Sequence, residues 1–182
     1  MDIFLVRHGE AAASWGQSAD PGLSERGWEQ AHVAARALQA LASEQPRLHS
    51  SPLARARETA QPLAEALTQP VLVDEAFREI CAPVPLAQRQ TWLRAFMQQR
   101  WDEQGPELHD WRARALDALL QFSCPAVVFT HFLLINAVVG QILGDGRTLH
   151  FWPENGSITH LRRTGQGLEL VALGAQMPSV VN

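Results

Sequence analysis

Apolar and polar positions fall into short blocks whose spacing predicts alternating strands and helices. Residues 2 to 7 form an apolar run that ends on Arg7, His8 and Gly9, where a glycine lets the backbone turn sharply. A strand that runs straight into charged residues predicts a site at its end. From 24 to 41, Trp28, Ala31, Ala35, Leu38 and Leu41 recur on one helical face, with Ser24 as the N-cap. Leu48 to Ser51 reads as a second strand, and Pro52 is placed to open a helix to about Leu67, in the first turn where proline is tolerated. Val71 to Val73 reads as a third strand. The stretch from Ala82 to Gly105, with Pro83, Pro85, Trp92 and Trp101, is expected to be a loop followed by a helix. A further helix from about Glu107 to Phe122 precedes the strongest strand signal, Ala126 to Thr130. After His131 an apolar helix runs to about Leu143 and stops at Gly144, Asp145, Gly146. Strands near Ser157 to Arg162 and Leu168 to Leu173 close the chain as a hairpin turning at Thr164 to Gly167.

This alternation predicts an α/β fold, a three-layer α/β/α sandwich with a mostly parallel central sheet and helices on both faces. At 182 residues, with no repeat, low-complexity tract or linker, the expectation is one domain spanning residues 1–182. A chain of that length buries enough surface to need neither disulfides nor a structural metal. The 46% hydrophobic and 19% charged residues are globular proportions. Fifteen basic against nineteen acidic side chains leave a net charge of -4, the wrong sign for phosphate-dominated duplex binding, so no nucleic-acid partner is expected.

All fifteen basic residues are arginine, and the absence of lysine excludes chemistries that need an amine: a phosphate loop with an essential lysine, a Schiff base, a protein-kinase site. Cys81 and Cys124 are too few for a disulfide framework or a metal cluster. They are expected to be small buried apolar groups in a reducing cytoplasm. The apolar run Ile3 to Val6 is too short for a signal peptide or a membrane span, so a soluble cytoplasmic protein with no membrane partner is expected. The pattern specifies no oligomeric state.

Ligands of parallel sheets sit outside the carboxyl ends of the strands. His8 follows the first strand and His131 the strand ending at Thr130, so one sheet can bring them together from distant parts of the sequence. Arg7 adjoins His8, and Arg55 lies at the start of the second helix, with Arg57 as its rival. Guanidinium forks match the oxygens of a phosphoryl group in pairs, and helix N-termini favour anions.

The run Leu5, Val6, Arg7, His8, Gly9, Glu10 resembles the opening signature of the histidine phosphatase superfamily, also called the phosphoglycerate mutase-like family. The resemblance continues in that family's order through Asp20, Leu23, Ser24 and Gly27, then Ser51, Pro52, Leu53, Arg55, Ala56, Thr59 and Ala60. Phe77, Arg78, Glu79 is similar to the segment with the family's acid, Thr130 and His131 to its second histidine, and Asn155 to Thr159 to its late strand. The span is residues 3 to 161.

The resemblance implies a phosphoglycerate mutase-like fold and a phosphoenzyme mechanism. His8 would attack phosphorus, while Arg7, Arg55 and His131 hold the non-bridging oxygens. Glu79 would be the general acid, with Glu75 as the alternative. Four positions depart from the family's pattern: Ala11 stands where it often has threonine, Ser14 replaces an asparagine near the phosphate, Phe132 replaces the glycine after the second histidine, and neither glycine nor tryptophan follows Glu79. A hydroxyl at Ser14 still donates one hydrogen bond.

Trp28 and Trp111 sit at helical spacing and are expected in the core. Phe132, Arg89 and Trp92, with Trp101, Arg94 and His109 nearby in sequence, are candidates to line a substrate pocket. The histidines at 32, 49, 150 and 160 show no metal-ligand spacing, so neither a metal nor a cofactor is implied. The expected partner is a small phosphorylated metabolite, hydrolysed by a metal-independent phosphatase. Phosphoglycerate mutase-type transfer and noncatalytic binding of a phospholigand are the alternatives.

Overall fold

Ile3, Phe4, Leu5 and Val6 follow one another without a polar residue, so the strand they form must be covered on both faces. In the computed structural model, which describes residues 1–13, 18–41 and 44–178, that strand is β1 (Asp2–Arg7). Ile3 and Leu5 join one core cluster, and Phe4 and Val6 the other. β1 pairs in parallel with β4 (Ala126–Thr130) and antiparallel with β5 (Ile158–Thr164). With β2 (Arg47–Ser50), β3 (Val71–Val73) and β6 (Gly167–Ala172) the sheet has six strands in the order β3-β2-β4-β1-β5-β6. β1 to β4 are mutually parallel, and β5 runs against them.

Helices α1 (Glu25–Leu41) and α2 (Ala54–Leu67) cover one face through Ala34, Ala35, Leu38, Ala60 and Leu63. The other face is closed by α3 (Arg89–Phe96), α4 (Pro106–Leu120) and α5 (Phe132–Leu143). α5 buries its first nine residues, Phe132 to Gly140, and all of them but Asn136 are apolar, as a helix covered on every side requires. Each leucine or isoleucine fully withdrawn from water here contributes about 1.5–3 kcal/mol. Among the described residues no helix is long and apolar enough to cross a membrane.

Several expectations are corrected by packing. Pro52 lies ahead of α2, which starts at Ala54 with Leu53 as its cap residue. Leu41 is exposed at the end of α1, beyond the reach of the sheet, and Trp28 is only half-buried. Cys81 is exposed and Cys124 half-buried, so neither is a core residue: Cys81 lies in the irregular segment after β3, and Cys124 in the turn before β4. The segment 82–105 holds two short 3-10 turns around the eight residues of α3.

Register aligns the strand ends. Arg7 pairs with Thr130 and Ser50 with Phe129, so β1, β4 and β2 end at one level. The ladder extends one residue further: the His8 amide donates to Thr130 O at 3.0 Å and the Ser51 amide to Phe129 O at 2.9 Å. His8, His131 and Ser51 therefore leave the sheet side by side.

Candidate active site

His8 is fixed from several directions as it leaves β1. The amide of the next residue, Gly9, donates to Thr59 Oγ1 at 2.9 Å, and Asn155 Nδ2 donates to the His8 carbonyl at 3.0 Å. The turn also packs on α1 at a separation only glycines allow: a Cβ on Gly9 would meet Gly27 O at 2.4 Å, and one on Gly27 would meet Glu10 O at 2.1 Å. The imidazole Nδ1 lies 2.7 Å from Gly9 O. A carbonyl only accepts, so Nδ1 carries the proton and Nε2 presents a lone pair. Arg55 Nε donates to that lone pair at 3.1 Å, which requires the same tautomer.

Burial, then the charges of Arg55 and Arg7, hold His8 well below the ordinary imidazole range, so the ring is neutral near pH 7. His131 is held low in the same way, by burial first and by its charged neighbours second. The two rings stand 5.2 Å apart between centroids. His131 Nε2 is 2.7 Å from Ser51 Oγ, and its Nδ1 is buried without a hydrogen-bond partner among the described residues.

Arg7 belongs to the face of β1 that carries Ile3 and Leu5, and its guanidinium lies over the Phe132 ring at 5.1 Å. Nη1 donates to Pro153 O at 2.8 Å, while Nε is buried with no partner among the described residues. Burial pulls its pKa down to about 10, so it stays charged at neutral pH. Arg55 is buried at the start of α2, whereas Arg57 is exposed two residues on. Two buried guanidiniums, one with a free donor, and two neutral imidazoles make a cationic recess suited to an oxyanion.

Glu79 is 7% exposed, and Glu75 is on the surface in a pair with Arg78. The Glu79 segment is pinned by Thr130 Oγ1, which donates to Phe77 O at 2.8 Å, and by Trp111 Nε1, which donates to Arg78 O at 2.9 Å. Its carboxyl accepts from the Ile80 amide at 3.0 Å and from the Leu133 amide, in the first turn of α5, at 3.1 Å. Burial raises its pKa, and these amides with Arg55 and Arg89 pull it back only in part. A carboxyl so placed can hold a proton at a pH where a solvated one cannot.

A recess of ≈ 350 Å³ opens over His8, with Arg7, Glu10, Ala11, Gln90 and Asn155 among its walls. Ser14 lies outside the described residues. Phe132 reaches the site as the surface beneath Arg7, and Arg89, half-buried and with no partner for its Nε among the described residues, is close enough to act on Arg55, Glu79 and His131. Trp92 does not line this recess: its ring stacks on Phe96 at 5.2 Å against the core. Trp101 is buried, and His109 packs on it. Sequence reasoning assigned no role to Ser51, Thr59 or Asn155. Ser51 carried a usable signal, because it follows β2 just as His8 follows β1.

The model of the histidine phosphatase superfamily (branch 1) matches residues 3–176. A solved structure of a mycobacterial glucosyl-3-phosphoglycerate phosphatase with VO3 is 26% identical, with a TM-score of 0.74 over 96% of this chain and 99% of that one. A phosphoserine phosphatase mutant from Entamoeba histolytica, in complex with phosphoserine, is 21% identical with a TM-score of 0.73 over 96% of both chains. An α-ribazole-5'-P phosphatase described as putative, from Escherichia coli, is 20% identical with a TM-score of 0.75 over 96% and 97%. No curated protein sequence matches the chain.

Proposed function

Since this chain belongs to the histidine phosphatase superfamily, we propose that it hydrolyses a small phosphomonoester through a phosphohistidine on His8. The observation that carries this reading is the tautomer of His8: Nδ1 is committed to Gly9 O, so the only lone pair on the ring is at Nε2, among the guanidiniums.

Nε2 attacks phosphorus, the N–P bond forms, and the ester P–O bond breaks on the opposite side. Arg7, Arg55 and His131 hold the non-bridging oxygens, where charge is greatest in the transition state. The arginines supply the positive charge, so the reaction as proposed asks for no metal. An alkoxide is a poor leaving group, and Glu79 donates the proton that makes it an alcohol. In the second step Glu79, now ionised, takes a proton from water as its oxygen attacks the phosphohistidine. Phosphate leaves, and both residues return to their starting states.

Transfer to water is favoured over return to the substrate because the cover is small. Between Glu79 and Gly105 the chain has one eight-residue helix and short turns with which to exclude water from a phosphoenzyme. The test is release of phosphate from p-nitrophenyl phosphate. His8→Ala is expected to abolish it, and acid-labile, base-stable phosphate is expected on the wild-type chain alone. Full activity in the variant would refute the proposal.

A further inference from the structure

We propose that the group esterified to the phosphate is a neutral, hydroxyl-rich sugar ring, seated in a second cavity between the N-terminal turns of α1 and the segment that leads into β5. This rests on the phosphatase reading and adds the class of leaving group. The cavity has a volume of ≈ 480 Å³, within the range of small-molecule sites. It adjoins the recess over His8, because Glu10 and Asn155 line both. A substrate held by its phosphate at His8 can therefore extend into it.

The walls suit one kind of occupant. Trp152 contributes an indole that is 41% exposed, large for an aromatic so near a buried site, and Met177 adds a second apolar surface. The indole stands edge-on to Phe132 at 5.4 Å, which holds it without covering it. A ring with C–H faces stacks on such a surface.

The polar groups around the indole both donate and accept. Gln30 Oε1 already accepts from the Glu10 amide, so its Nε2 is the donor it has to offer. Asn155 gives its Nδ2 to the His8 carbonyl, so its Oδ1 is an acceptor. Arg26 donates, while Glu10 and Glu154 accept. Two carboxylates against one guanidinium repel a leaving group that carries its own carboxylate. Hydroxyls, which donate and accept, satisfy both kinds of wall.

The experiment compares kcat/KM of the wild type, Trp152→Ala and Glu154→Gln for five probes: glucose 6-phosphate, a ribonucleoside 5'-monophosphate, phosphoserine, phosphoethanolamine and phenyl phosphate. We expect the wild type to prefer a sugar-bearing probe over phosphoserine and phosphoethanolamine. The first two probes separate a free sugar from one inside a nucleoside. In Trp152→Ala the ratio of sugar-bearing probe to phosphoethanolamine, which has no ring to stack on the indole, should fall by about tenfold. In Glu154→Gln, whose residue is on the surface, phosphoserine should gain on the sugar probe.

A Trp152→Ala loss shared equally by all probes would mean disturbed packing under Arg7 and would overturn the assignment, as would a wild-type preference for phosphoserine or phosphoethanolamine. Failure of the phosphatase reading looks different: the wild type then hydrolyses no probe, phenyl phosphate included.

Discussion

Nε of Arg55 stands 3.1 Å from Nε2 of His8, so the lone pair that would attack phosphorus is held by a guanidinium hydrogen bond. The same contact keeps the ring in one tautomer. A phosphoryl group entering the recess offers Arg55 oxygens with full negative charge, a better acceptor than a neutral imidazole, and frees Nε2 as it does so.

Arg55→Lys keeps the charge but has neither the Nε–H nor the planar fork. We expect kcat/KM for an aryl phosphate to fall by about a hundredfold to a thousandfold, the usual cost of one transition-state donor. A variant within a few-fold of wild type would show that charge alone suffices at this position.

Glu79→Gln keeps one acceptor oxygen, enough for the Ile80 or the Leu133 amide but not for both, which donate to different oxygens, and it has no acidic proton to give. With an alkyl phosphate the rate should drop by about a hundredfold or more. With p-nitrophenyl phosphate, whose leaving group needs no proton, the first step should be nearly unaffected in single-turnover measurements. Because burial raises the Glu79 pKa, the wild-type kcat should decline as pH rises through a value above the ordinary 4.5. In the variant that alkaline limb should vanish.

His8 and His131 are held well below the ordinary 6.5, so the unfolded chain takes up their protons first. Their contribution to stability is complete above the unfolded value and is lost as pH falls toward the folded ones. Glu79 has the opposite sign: its raised pKa means that stability is lost as pH rises through it. Below the unfolded 6.5 each imidazole counts for more than half a proton, so two of them outweigh one carboxyl, and we expect Tm to rise with pH on approaching that value from the acid side. A flat or falling Tm by calorimetry would contradict buried neutral rings.

Gly27→Ala should reverse the usual preference of helices for alanine. The new Cβ would lie 2.1 Å from the Glu10 carbonyl oxygen, a backbone atom with nowhere to retreat while His8 and Gly9 are held. We expect a loss of about 1–3 kcal/mol in chemical denaturation, with activity falling alongside it. Unchanged stability would mean that the turn and α1 can separate at no cost.

Much of the fold was legible because apolar runs and helical stripes are local. β4 and α5 stand where the pattern put them, and a double-sided apolar strand such as β1 could only be interior. α3 and its flanking turns were poorly legible, since the buried face of α3, Leu93 and Phe96 with Trp92 and Met97 beside them, spans only about two turns and follows a proline-rich stretch. Trp92 illustrates the limit: a tryptophan on a helix this short serves a pocket or a core equally well until its neighbours are known. The exposure of Cys81 was equally invisible, because it depends on where the chain leaves β3.

By itself the sequence determined where strands end and which chemistry stands there: two histidines at strand tips, arginines as the only basic side chains, and carboxyls within a short reach. Tertiary structure decided which of these act on one another. It turned Arg55 inward and Arg57 outward, buried Glu79 while leaving Glu75 to pair with Arg78 in water, and set Ser51 against His131. Tautomer, charge state and an unpartnered donor depend on neighbours within a few ångströms. Those neighbours come from β1, β2, β4 and α2, which only the register of the sheet brings to one place.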